Sequence, residues 1–212
     1  MTKRILPPVV LVFGEDDNDK EAAKELMMAL RPDFPPVRKR RKPLVLVKGR
    51  TEARARKNTA DIAKVVRADA KRSDVRIVFA HEDCDDIEPA HLALADRIET
   101  YLGKEGVQAI AVTPAWEMEA WWFLWPDAVV AVNSGWQRPS MSGRQVGLIR
   151  DAKEELRRAL RPANKGKRTR DYEESDGPKI ARKVRELGIV GTLDAQSDSY
   201  VRFRDKVLAL VV

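Results

Sequence analysis

Along the first hundred residues, short apolar runs alternate with longer stretches in which apolar positions recur every three or four residues. Val9 to Phe13 is a β-branched run closed by Pro7–Pro8 before it and Gly14 after it, the pattern of a buried strand. Asp16, Asp17 and Asp19 follow, and then Ala22, Ala23, Leu26, Met27 and Leu30 keep helical spacing. The acids suit a helix N-terminus, and Pro32 ends the helix. This makes a strand–turn–helix with Glu15 at the turn. Residues 35–43 read as a proline-bounded basic loop and Leu44 to Val47 as a second strand. Thr51 to Lys71 predicts a helix with Ala53, Ala60, Ile62, Ala63 and Val66 on its less polar side. Val75 to Ala80 predicts a third strand that runs straight into HEDCDD. Ala90 to Leu102 predicts a helix with Gly103 and Gly106 near its end, and Val107 to Val112 a fourth strand. Strands alternating with helices predict an α/β fold: a mostly parallel four-stranded sheet flanked by helices.

The pattern changes at Pro114. Trp116, Trp121, Trp122 and Trp125 cluster in one helical segment and Trp136 follows. At i, i+5, i+6 and i+9 they form no single stripe. Trp121, Trp122 and Trp125 read as core packing, the alternative for the cluster being stacking on unpaired bases. Gly135 to Gly143 reads as a loop, Gln145 to Leu160 as a charged helix and residues 161–178 as a flexible basic loop. Pro178 to Leu187 and Ser199 to Val211 read as the last helices. Residues 1–130 are thus expected to form the main domain, with 131–212 a helical C-terminal extension packed on it.

Composition narrows the setting. Of 212 residues, 43% are hydrophobic, enough for a core, and a net charge of +7 favours polyanionic partners, nucleic acid first. Many basic proteins bind no nucleic acid, so charge alone shifts the expectation modestly. Cys84 is the single cysteine, which excludes an internal disulfide and a thiolate zinc cluster and fits a reducing, cytoplasmic setting. No apolar run approaches a membrane span, and the start carries no signal-peptide cleavage pattern.

The candidate chemistry is acidic. In a parallel sheet, residues just past the strand C-termini collect along one edge, where ligands bind. Glu15 follows the first strand, and Asp83 and Asp85 follow the third. If those strands are neighbours, the three carboxylates converge, and like charges at one point call for a cation between them. Oxygen ligands favour Mg²⁺ or Mn²⁺ over zinc. At i and i+2, Asp83 and Asp85 face the same side of an extended chain, leaving Glu82 and Asp86 turned away or in support. His81 is a candidate to orient a carboxylate or contact phosphate, with a supporting or structural role favoured over direct metal binding. The plainer alternative is that Glu82 to Asp86 cap the next helix.

Together, VLVFGEDDND, IVFAHEDCDD and AVTPAWEMEAWWF resemble the Toprim domain shared by topoisomerases, primases and OLD-type nucleases. The closer likeness is to small bacterial Toprim-like proteins with H-x-D-x-D and M-E-A-W motifs, here His81, Asp83, Asp85 and residues 118–121. It covers roughly residues 9–130 and extends weakly beyond. The resemblance implies that Asp83 and Asp85 hold Mg²⁺ and that Glu15 binds metal or moves a proton. Glu119 is a further candidate for a second metal position, with a helix N-terminal acid as the plain alternative. One departure is that many members read E-G where this chain reads G-E, which redirects the Glu15 side chain and makes Asp16 or Asp17 candidates to replace it.

Two basic stretches are candidates for phosphate contact. One is Arg38 to Lys42 with Lys48 and Arg50, where Arg40 and Arg41 are the nucleic-acid-binding residues, and the other is Lys165 to Arg170. Lys165 and Lys167 resemble lysines found late in the Toprim-like proteins. The expected function is a divalent-metal-dependent phosphodiesterase or nuclease acting on nucleic acid, DNA first. By analogy with bacterial defence modules, an ATPase partner protein is expected beside it. The rivals are a non-catalytic nucleic-acid-binding or assembly subunit and a small-phosphate-ester or nucleotide hydrolase. No membrane partner is expected, and a homo-oligomer is left open.

Overall fold

A computed structural model describes residues 6–14, 16–41, 45–162 and 170–211. Its sheet comprises β1 (Pro8–Gly14), β2 (Val37–Arg41), β3 (Asp74–His81) and β4 (Ala109–Val112), in the order β2-β1-β3-β4. All pairings are parallel. Helices α1 (Asp17–Leu30), α2 (Glu52–Ala70) and α3 (Ala90–Lys104) connect the strands. The C-terminal half adds α4 (Glu119–Trp122), α5 (Pro126–Val132), α6 (Ala152–Leu160), α7 (Gly177–Glu186) and α8 (Asp198–Leu208). The architecture is therefore the expected one: a parallel four-stranded sheet between helical layers, with a helical C-terminal part.

Strand alternation sorts side chains into two cores. Val9, Leu11, Phe13, Val78, Ala80 and Ala111 face α2 and α3. Val10, Val12, Ile77, Phe79, Ile110 and Val112 face α1 and the C-terminal helices. The second core is continuous from β1 to Phe203 and Val207, so residues before and after 130 share it. Trp121, Trp122 and Trp125 are fully buried there, as the core reading expected. Trp121 lies 5.3 Å from Phe203 and Trp125 4.8 Å from Tyr200, ring centre to ring centre.

Three expectations are corrected. The second strand lies at Val37–Arg41, inside the run read as a loop, and of the strand read over 44–47 the described residues 45–47 form none. β2 is an edge strand, paired only to β1, and charge protects such an edge. Arg38 donates to Ser73, Arg40 clamps Asp69 at 2.6 and 2.7 Å, and Lys39 reaches Glu21 at 3.0 Å. Leu46 and Val47 are buried in a turn, their amides donating to the Glu82 carboxylate at 2.6 and 3.1 Å. The helix read over 145–160 is shorter, spanning Ala152–Leu160 after a single 3₁₀ turn at Val146–Leu148. The loop read over 161–178 ends in ordered structure: Tyr172 is buried and α7 starts at Gly177.

Because α8 closes the shared core, Phe203→Ala is expected to lower unfolding free energy by about 3–5 kcal/mol. The transition should stay single when followed by tryptophan fluorescence and far-UV circular dichroism. Two separated transitions would show that the C-terminal helices fold independently.

Candidate functional site

The C-terminal ends of β1, β3 and β4 open onto a cleft of about 340 Å³. Its walls come from the turn into α1, the turns after β3 and β4, the start of α6 and the segment before α7. Asp16, Asp19, Asp83, Glu117, Glu119 and Glu174 all line it, with Lys153 the one cationic residue among the lining residues.

On the β1 side, Asp16 caps α1 by accepting the Asp19 amide at 2.8 Å. Asp17 is turned to solvent and pairs with Lys20 at 2.9 Å. Of the two candidates to replace Glu15, the cleft therefore takes Asp16. Glu15 itself lies outside the described residues, as do Lys165 and Lys167. His81, the last residue of β3, is wholly buried between two acids. Its Nδ1 is 3.5 Å from Asp19 and its Nε2 3.3 Å from Asp83. Asp83 Oδ1 is buried and receives no aligned hydrogen bond, His81 being its nearest polar neighbour.

Asp85 departs from the expected geometry. The turns after β3 and β4 zip together: Cys84 N donates to Pro114 O at 3.2 Å, Asp85 N to Trp116 O at 2.9 Å and Trp116 N to Asp86 O at 2.8 Å. The chain then takes left-handed backbone at Asp85 (φ 53°) and Trp116 (φ 57°). The i, i+2 rule holds only in extended chain, so Asp85 does not join Asp83 in the cleft. Its carboxylate meets Lys48, whose ammonium also holds the Asp83 carbonyl at 2.7 Å. Glu82 supports the 46–47 turn, and Asp86 accepts the Ile87 amide at 2.8 Å.

Beyond β4, Glu117 and Glu119 enter the cleft two residues apart. Glu117 accepts the Lys153 amide at 2.6 Å, which ties it to the start of α6. Burial pushes its carboxyl up, and the charges of Asp83 and Asp85 add to this. Glu119 is both the first residue of α4, as the helix reading expected, and a cleft residue. Burial pushes it up to about 8, with Glu117 and Asp83 adding to the shift and Lys153 opposing it. Tyr172 donates to Glu119 Oε1 at 3.1 Å and accepts from the Trp122 indole at 3.2 Å. Burial works against the charge of Lys153, yet Glu174, Glu119 and Glu117 hold it above its ordinary range. Its ammonium is 2.7 Å from Glu174 and 3.7 Å from Glu117.

The cleft thus supplies oxygen ligands, a lysine and an oriented phenol. Among the described residues, no three acid, histidine or cysteine side chains form a ready-made metal cage. Arg40 is committed to Asp69, while Arg41 ends β2 as an exposed residue, its charge felt by Asp17. Sequence reasoning missed Asp19, Glu117, Lys153 and Tyr172. Glu117 had a signal, since the E-x-E of WEME repeats the two-residue spacing already weighed at Asp83. Lys153 and Tyr172 had none. Comparison of the chain with family models, curated proteins and solved structures found no match.

Glu119 generates a pH prediction. An acid whose folded pKa is raised binds its proton more tightly in the fold than in the unfolded chain. Its contribution is zero below its ordinary pKa of 4.5, and stability falls as pH rises from 4.5 to about 8. Without divalent metal, thermal unfolding should therefore show Glu119→Gln as more stable than the wild-type protein at pH 8.5, by roughly a few kcal/mol. The two should unfold alike at pH 4. Equal melting at both pH values would remove the buried-acid account.

Proposed function

We propose that this chain is a divalent-metal-dependent phosphodiesterase acting on nucleic acid, with the acidic cleft as its active site. The observation that carries this reading is the meeting of carboxylates from three turns, at the C-terminal edge of adjacent parallel strands, around one lysine. Oxygen donors of this kind suit Mg²⁺ or Mn²⁺. The buried Asp83 oxygen without an aligned donor fits a missing cation. Asp83, Glu117 and Glu119 would hold it, with Asp16 and Asp19 on the opposite wall of the cleft. When bound, Mg²⁺ supplies polarisation of the phosphate and a lowered pKa for the attacking water.

The protein's own groups have separable tasks. His81 stands between Asp19 and Asp83 and would orient both carboxylates. Lys153 is positioned to neutralise charge developing on the phosphate. Tyr172 orients Glu119. The resemblance to Toprim-like proteins and the net charge of +7 point the same way, and an ATPase partner and a role in bacterial defence rest on that resemblance alone. Among the described residues no helix is long and apolar enough to cross a membrane.

A second reading has its own observation. Asp85, expected at the metal, is paired with Lys48 instead. This favours a nucleic-acid-binding or assembly subunit without catalysis. Incubation of plasmid, linear and single-stranded DNA with Mn²⁺ or Mg²⁺ separates the two. Catalysis predicts metal-dependent cleavage, lowered at least about 100-fold by Asp83→Ala and to a similar degree by Lys153→Met. Asp85→Ala should lose less than Asp83→Ala. Tight metal-independent binding with no cleavage would favour the subunit, and hydrolysis of nucleotides alone a small-phosphate hydrolase.

A further inference from the structure

Ionised carboxylates can take up a cation, but they cannot hold a phosphate. The oxygens of a phosphodiester accept hydrogen bonds and donate none, so the cleft needs donors as well. Besides its acids, four lining side chains carry one: Asn18, Trp122, Lys153 and Tyr172. Three are already engaged. The Trp122 indole donates to Tyr172 at 3.2 Å, the Tyr172 hydroxyl to Glu119 at 3.1 Å and the Lys153 ammonium to Glu174 at 2.7 Å. The Asn18 carboxamide makes no hydrogen bond among the described residues.

Its place is fixed by the start of α1. Asn18 is the second residue of that helix. One turn on, Ala22 also lines the cleft and is buried, so the helix face that carries both turns inward. Asp16 caps the helix through the Asp19 amide at 2.8 Å. Asp17 pairs with Lys20 at 2.9 Å, and a Cβ on Gly14 would lie 2.7 Å from Lys20 Cγ, so the helix start is packed down on the end of β1. The positive end of the α1 dipole lies at the same wall and favours an anion there.

Asn18 is also neutral, and this limits the charge that the cleft can accept. Six carboxyl side chains line it with one lysine, which Glu174 and Glu117 already share. An internal phosphodiester carries one negative charge. A terminal phosphate carries close to two above its second pKa of about 6. The added charge meets carboxylates and finds no uncommitted cation among the described lining residues.

We infer that Asn18 is the specificity residue of the cleft, donating to a non-bridging oxygen of a singly charged phosphodiester and leaving a doubly charged phosphate monoester uncompensated. This rests on the proposed phosphodiesterase reading and adds the residue that selects its substrate.

The test compares hydrolysis of bis(p-nitrophenyl) phosphate and p-nitrophenyl phosphate by the full chain with Mn²⁺ at pH 8. The wild-type protein should favour the diester at least about ten-fold in kcat/KM. Asn18→Ala should raise KM for the diester about ten-fold, the scale of one hydrogen bond to a charged group, with kcat nearly unchanged. Asn18→Asp keeps the shape, removes the donor and adds a charge, and should lose more. Asn18→Lys should shift the ratio about ten-fold towards the monoester. A wild-type KM in both Asn18→Ala and Asn18→Asp, or an unchanged ratio in Asn18→Lys, would overturn the inference. Binding of a short oligodeoxynucleotide with Ca²⁺ in place of Mn²⁺, read by fluorescence anisotropy, separates it from the catalytic reading. If nothing is hydrolysed but Asn18→Ala weakens that binding about ten-fold, the donor stands and catalysis falls. Binding that is absent, or as tight in Asn18→Ala as in the wild type, removes Asn18 as the donor, and hydrolysis by the wild type would then leave the catalytic reading intact.

Discussion

Repulsion between carboxylates held in a cleft partly closed to water is the constraint on which this site depends. A parallel sheet sends every strand C-terminus to one edge, so the turns after β1, β3 and β4 must share that edge. Each turn brings acids. Burial keeps water from screening Glu119, and the wholly buried β3 residue His81 stands between Asp19 and Asp83. The fold answers the repulsion in part with Lys153, with the Tyr172 hydroxyl and with an upward-shifted Glu119. A divalent cation would answer the rest, and the proposed chemistry follows from that.

The two cores make the arrangement rigid. Glu117 and Glu119 flank Met118, which is buried in the core that also holds Trp121 and Phe203. Glu117 is further tied to α6 through the Lys153 amide, and Glu119 to the segment before α7 through Tyr172. The C-terminal helices are thus part of the cleft wall as well as cover for the sheet. Glu88 strengthens the link, its buried carboxylate accepting from Ser197 and from the Ser199 amide at the start of α8.

The sheet was largely legible because its apolar runs are short, β-branched and bounded by glycine or proline. β2 was not, since an edge strand can carry basic side chains on both faces when Asp69 and Ser73 await Arg38 and Arg40 and Glu21 awaits Lys39. Asp83 was legible from its position after β3. Asp85 was expected beside Asp83 because the two-residue rule presumes extended chain, whereas the turn that pairs with the β4 turn takes left-handed backbone there. Lys153 and Tyr172 come from segments distant in sequence, and only tertiary packing brings them to the cleft.

Anomalous diffraction from crystals soaked in Mn²⁺ tests the central claim most directly. The account predicts a peak within coordination distance of Asp83 and of Glu117 or Glu119. An ordered cleft with no peak at saturating Mn²⁺, or a peak bound only by carboxylates outside the cleft, would contradict it.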